Sequence, residues 1–322
     1  MSPHIPALPV YHYQFEFAVA GPVRLPRYPG SAWRGAFGHA LKRTVCIVRD
    51  TACADCMLQS SCAYSYIFET PPPANAGKMR KYTASPHPFV LRFPQQNAEE
   101  AGKYRLELIV IGQGQKFFPY IVHALQKAGQ DGIGSGRQPF ILENIRQRLN
   151  NDTMATVYQA GQLTLPGADS LAEPPPMPDR IELVLHTPLR IKQNGRNLTP
   201  QSFNFGAFFG NLLRRISMLT YFHGETPLET DFAELTRQAR QIQFSDKQLQ
   251  WFDWKRYSSR QDAEMNMGGV VGTLSLAMPG LEPFWPYLWL GQWIHAGKGT
   301  SMGLGYYSIE TASLPSDDNR MK

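Results

Sequence analysis

The chain nearly repeats itself, and that repeat limits what it can fold into. Gly35-Ala36-Phe37-Gly38-His39-Ala40-Leu41-Lys42-Arg43 returns as Gly206-Ala207-Phe208-Phe209-Gly210-Asn211-Leu212-Leu213-Arg214-Arg215, with one residue inserted. Gly21-Pro22-Val23-Arg24-Leu25 matches Thr187-Pro188-Leu189-Arg190-Ile191, and Gly134-Ser135-Gly136-Arg137 matches Gly303-Leu304-Gly305-Tyr306. All three pairs keep the same order at an offset of about 170 residues, roughly half the chain. Similarity at a fixed offset implies two copies of one supersecondary unit. The differences between the copies are then the place to look for function.

The pattern of each half supports this. Residues 11–20 alternate aromatic and polar side chains and read as a strand. A helix then runs to about Val45, with Ser31 as its expected cap and Trp33, Phe37, Leu41 and Val45 as its buried stripe. A strand over 104–111, a helix over Phe118–Ala128 and a glycine-rich turn over 131–136 complete the first copy. The second copy begins after Pro174-Pro175-Pro176-Met177-Pro178, the expected linker. It reads as a strand from Arg180, a helix over Asn204–Phe222, a strand over Val270–Leu276, a helix over Trp285–Ile294 and a second glycine-rich loop. Strand, helix, strands, helix, strand is the order of the split βαββαβ, ferredoxin-like unit. The expected fold class is therefore α+β, with two tandem ferredoxin-like domains over 1–165 and 178–322 and a cysteine-rich insertion in the first at about 46–100.

The 322 residues carry 32 Lys plus Arg against 26 Asp plus Glu, a net charge of +6 that suits a polyanionic partner. No apolar run approaches the roughly 20 residues of a membrane helix. The first residues lack the basic and apolar regions of a signal peptide, so a cytoplasmic protein is expected.

Four features carry chemistry. On the first helix, Gly35, His39 and Lys42 lie together opposite the apolar stripe, with Arg34 and Arg43 beside them. The second copy has Asn211 and Arg214 at those angles, so the imidazole is confined to the first. Imidazole beside ammonium is equipment for proton transfer next to a phosphate, although a solvated surface His has the same pattern. In the second glycine loop, Lys298, Thr300 and Ser301 stand among Gly297, Gly299, Gly303 and Gly305. Backbone N–H groups, a Lys and two hydroxyls make a phosphate cradle; the alternative is a tight interdomain turn. His295, just before the loop, is either a ligand to RNA or a packed helix-end residue. The run Trp254-Lys255-Arg256-Tyr257-Ser258-Ser259-Arg260-Gln261 interleaves cations and aromatics, as phosphate pairing and base stacking require, or as a polar strand edge does.

All four cysteines, Cys46, Cys53, Cys56 and Cys62, fall within 17 residues. In a reducing compartment such spacing favours a metal over disulfides. A closed structural zinc site is the first expectation. An iron–sulfur cluster uses the same ligands and is the alternative.

These motifs together resemble a known family. His295-Ala296-Gly297-Lys298-Gly299-Thr300-Ser301-Met302-Gly303-Leu304-Gly305 resembles the glycine-rich signature of the RAMP superfamily of CRISPR-associated proteins. Arg256–Gln261, Gly268-Gly269-Val270-Val271-Gly272, Thr187-Pro188-Leu189-Arg190 and Leu213-Arg214-Arg215 resemble the C-terminal half of its repeat-RNA-processing endoribonucleases (the "Cas six" family). Arg34-Gly35-Ala36-Phe37-Gly38 followed by a cysteine cluster resembles one branch of it. The resemblance implies metal-independent cleavage of CRISPR precursor RNA, in which the ribose 2′-OH attacks the adjacent phosphate. It implies a catalytic His, Lys and Tyr, which fall here on His39, Lys42 and Tyr28. The RNA would be held by Arg34, Arg43, Arg214, Arg256, Arg260, His295, Lys298, Thr300 and Ser301. The implied partners are CRISPR repeat RNA and other effector subunits, with no membrane. Two other readings compete: a non-catalytic RNA-binding RAMP subunit of an effector complex, and a redox- or iron-sensing RNA-binding protein centred on the cysteines.

Overall fold

In a computed structural model the described residues are all but 1–5, 22, 73–75, 78–84, 95–101, 135, 165–169, 172, 259–262 and 312–322. The first half contains β1 (Val10–Val19), α1 (Gly30–Val45), β2 (Phe89–Arg92), β3 (Lys103–Ile111), α2 (Phe118–Gln130), β4 (Phe140–Arg148), β5 (Met154–Gln159) and β6 (Gln162–Leu163). Its sheet has the order β2-β3-β1-β4-β5-β6. The second half contains β7 (Arg180–Leu189), β8 (Lys192–Gln193), β9 (Arg196–Asn197), α3 (Phe205–His223), α4 (Phe232–Ala239), β10 (Asp246–Phe252), β11 (Lys255–Ser258), β12 (Ala263–Asn266), β13 (Gly269–Ala277), α5 (Trp285–Ile294) and β14 (Tyr307–Thr311). Its main sheet has the order β10-β13-β7-β14.

In both sheets the first strand of the unit sits centrally, between the third and the last, with every pairing antiparallel. That is the ferredoxin-like order, built twice. The helices α1 and α3 each follow the first strand of their half, and each glycine-rich loop precedes the last strand. The repeated sequences thus occupy equivalent places.

Alternation along β1 sorts its side chains. Tyr11, Tyr13, Phe15 and Phe17 face α1 and α2, joining Trp33, Phe37, Leu41, Ile121 and Leu125 in one core. Val10, with Val90, Ile109 and Ile111, faces the other way and joins the core of the second half, among Leu212, Leu288 and Ile294. The first sheet therefore packs its own helices on one face and the second half on the other.

The helix α1 starts one residue before the expected cap. Pro29 is its N-cap, without a side-chain cap bond, and Ser31 lies inside the helix. Its last turn carries Lys42 and Arg43, which suit the negative end of the helix dipole. In α3 the cap is Asn204, whose Oδ1 accepts from the Ala207 N–H at 2.9 Å. No helix among the described residues is long and apolar enough to cross a membrane.

Candidate active site

The α1 stripe is buried as its spacing requires: Trp33, Phe37 and Leu41 are fully covered. On the opposite face Gly35, His39, Lys42 and Arg43 are exposed, and a Cβ at Gly35 would meet open space. His39 and Lys42 are one turn apart and share that face. Arg43 makes an exposed ion pair with Asp131 at the end of α2. In α3, Arg214 is likewise exposed.

The start of α1 is seated on the second glycine loop. Gly30 lies so close to the Met302 carbonyl that a side chain there would collide with it. Arg34 Nε donates to Ser301 Oγ at 3.1 Å, and Arg34 Nη2 lies 3.0 Å from His87 Nε2. His87 Nδ1 in turn lies 3.1 Å from Thr70 Oγ1. Since a guanidinium only donates, His87 Nε2 accepts and Nδ1 carries the proton. Burial first, and then the Arg34 and Arg215 guanidiniums, push His87 down to about 3, so it stays neutral.

The loop is not an open cradle. Thr300 and Ser301 are buried, at 7% and 8% exposure, and the Ser301 hydroxyl serves Arg34. Lys298 is the exposed residue of the three, and its backbone N–H donates to the Arg190 carbonyl at 3.2 Å. His295 is fully buried; its Nδ1 lies 3.2 Å from the Leu304 carbonyl and its ring stacks on Tyr306 at 5.1 Å. It is a packed helix-end residue in this conformation and does not face a ligand. Gly297 N–H donates to Asn211 Oδ1 at 2.8 Å. The residue that replaces His39 in the second copy is thus a loop anchor.

Tyr28 is half-buried against Phe252 and Trp254, with ring centroids 5.5 and 5.3 Å away. It precedes α1, whereas His39 lies about 14 Å further along the helix at 1.5 Å per residue. The tyrosine that meets Lys42 is another one: the ammonium sits 5.5 Å from the ring centre of Tyr64. Arg256 lies on β11, its backbone opposite Met265, and Arg260 lies outside the described residues.

The cysteines lie in the segment after α1. All four are half-buried free thiols, and no group of three or more His, Cys, Asp or Glu side chains among the described residues is placed to hold a metal ion. Cys46 Sγ instead donates to the Val48 carbonyl at 3.3 Å. Burial, and then charges that include Glu69, Cys62 and Cys46 set against Lys42, raise the Cys53 thiol.

Sequence reasoning passed over several residues at the junction of the halves. Arg92 pairs with Glu107 and lies over the rings of Tyr306 and Trp293, at 4.6 and 5.3 Å. His12 Nε2 is 3.2 Å from Glu107 Oε2. Arg215 is half-buried, donating from Nε to the Ile294 carbonyl at 2.9 Å. Tyr66 donates its hydroxyl to His223 Nδ1 at 2.9 Å, and His223 Nε2 donates to the Pro86 carbonyl at 2.7 Å. These residues are scattered through the sequence and have no common spacing, so only the fold collects them.

The fold and this face define a class: paired ferredoxin-like units with a glycine loop wedged against a basic helix. Residues 183–307 match the model of the CRISPR-associated endoribonuclease Cas6, and residues 8–170 match the AF_1859_N N-terminal domain. The chain thus carries an AF_1859_N N-terminal domain over half of its length, and its C-terminal half is similar to the Cas6 endoribonucleases. A similar curated relative is an uncharacterized protein of Archaeoglobus fulgidus, 22% identical over 89% of this chain and 93% of its own length. Among solved structures, a Thermus thermophilus Cas6 product complex superposes with a TM-score of 0.57 at 16% identity, covering 94% of this chain and 99% of that one. A second Cas6 product complex gives 0.54 at 13% identity over 94% and 100%. A Cas6-RT-Cas1–Cas2 complex gives 0.56 at 16% identity, over 97% of this chain and 30% of that longer one.

Proposed function

We propose that this protein binds CRISPR repeat RNA and cleaves the precursor by attack of a ribose 2′-OH on the adjacent phosphate. The O2′–P bond forms as the P–O5′ bond breaks, leaving a 2′,3′-cyclic phosphate and a free 5′-OH. The attacking hydroxyl must lose a proton and the leaving oxygen must gain one. His39 handles one of these transfers, since an imidazole has one nitrogen that can give a proton and one that can take it. Lys42, one turn away, stabilises the negative charge that gathers on the phosphorane. No step calls on a metal ion.

One observation carries the reading. His39 is exposed, with Lys42 beside it, on a helix whose duplicate uses the corresponding residue, Asn211, to hold a loop. Released from that structural task, position 39 presents an imidazole to solvent. The exposed Lys298, Arg214 and Lys42 provide cationic contacts for the phosphate backbone.

The test is cleavage of the repeat RNA of the host's own CRISPR array in excess EDTA. Wild type is expected to cleave. His39→Ala is expected to bind but to lose about two or more orders of magnitude in rate. A 2′-deoxy sugar before the scissile bond should abolish cleavage. Cleavage of the deoxy substrate would overturn the mechanism. Binding without any cleavage by wild type would move the protein to the non-catalytic RNA-binding subunits.

A further inference from the structure

The segment that carries the cysteines returns to α1 and lays an aromatic column along it. After Cys62 the chain forms a π-helical turn, Ser65–Glu69, a form often found at functional sites. Phe68 from this turn covers Gly38, where a Cβ would come within 3.0 Å of the ring, and packs on Phe37 with centroids 4.9 Å apart. Tyr64 stacks on Phe68 at 5.5 Å with a 12° interplanar angle. Its hydroxyl donates to Glu69 Oε1 at 3.4 Å. The ring is thus stacked on Phe68 and tethered at its hydroxyl. The Lys42 ammonium lies over this ring, 5.5 Å from its centre.

A lysine on an exposed helix face has four rotatable bonds, and fixing them costs rotamer entropy. A ring face with a negative quadrupole offsets that cost by attracting the cation. From this we infer that Tyr64 is a positioning residue: it holds Lys42 over the face that presents His39. The inference rests on the endoribonuclease reading above and adds a residue to it. Tyr64 acts through Lys42 and not on the RNA. It also gives the segment between α1 and β2 a task that needs no metal.

The experiment is a double-mutant cycle on single-turnover cleavage, with protein in saturating excess over the repeat RNA. Tyr64→Leu is expected to slow cleavage about three- to tenfold, with RNA affinity and melting temperature close to wild type. Tyr64→Phe, which keeps the ring face, should recover most of the rate. In a Lys42→Ala background Tyr64→Leu should cost nothing further, since its effect passes through the ammonium. Additive losses in that background would assign Tyr64 a merely structural role and overturn the proposal. So would a Tyr64→Leu rate equal to or above wild type. His39→Ala serves as the control that separates the two claims. If wild type cleaves and His39→Ala does not, the endoribonuclease reading stands whatever Tyr64 does. If wild type does not cleave, both fall.

Discussion

The side-chain oxygen of Asn211 on α3 accepts the backbone N–H of Gly297, 86 residues later, at 2.8 Å. The same place on α1 holds His39, which is exposed. One helix of the duplicated pair fastens a loop, and the other presents an imidazole. Asn211→Ala should therefore act on stability and not on the proton-transfer step. Losing the acceptor leaves a half-buried N–H unmatched, at about 1–3 kcal/mol. Thermal melts should show a drop of a few degrees, while the single-turnover rate of the folded fraction stays near wild type.

Arg34 should matter to both halves at once. It donates to Ser301 in the glycine loop and to His87 in the segment before β2. Arg34→Met removes the donors and leaves Ser301 and His87 without that partner. A loss of about 1–3 kcal/mol is expected in denaturant unfolding. Arg34→Lys should not restore it, because an ammonium does not reproduce the planar fork that reaches both acceptors.

Stability should fall on acidification, beginning below pH 6.5. His87 and His223 are held at about 3 and about 4, burial being the main cause in each. In the unfolded chain both return to about 6.5. Between those values the unfolded chain binds protons that the folded chain does not, so falling pH favours unfolding. Above 6.5 neither imidazole contributes. Glu107, drawn down to about 2 against its burial by His12 and Arg92, adds the same trend from about 4.5 downward. Melting temperature measured across pH 4–8 should show the slope, and His87→Gln should flatten its upper part.

Lys298 is the exposed member of the glycine loop, so its contribution to RNA binding should be electrostatic. Lys298→Ala should weaken binding of single-stranded repeat RNA and reduce the slope of log affinity against log salt by about 0.7. Ser301→Ala should leave that slope unchanged, because its hydroxyl is turned to Arg34. Filter binding at several salt concentrations checks both.

The fold was legible because periodicity and repetition are local properties. Trp285–Ile294 could be bounded by pattern alone, and Val10–Val19, Phe118–Gln130 and Phe205–His223 to within a residue or two. The short edge strand Phe89–Arg92, the helix Phe232–Ala239 and the strand Asp246–Phe252 were passed over, lying in stretches without a strong period. The site was legible only in part. The exposed face of His39 and Lys42 follows from 3.6-residue geometry. The inward turn of Thr300 and Ser301 does not, since it depends on Arg34 arriving from a helix some 267 positions earlier. Nor does the contact of Tyr64 with Lys42, which comes from a separate turn whose Phe68 packs on Gly38.

Val10, Val90, Ile109 and Ile111 belong to the first sheet but lie in the core of the second half. The first half keeps one core under its own helices and shares the other face of its sheet with the second half. Neither can open without exposing apolar surface that the other was covering, so heat should not melt them one after the other. Calorimetry should give one transition whose enthalpy matches that of the whole chain. A gene cut at the proline-rich linker should yield halves that recover solubility only when made together. That outcome would make the two copies one cooperative body, and not a string of two independent domains.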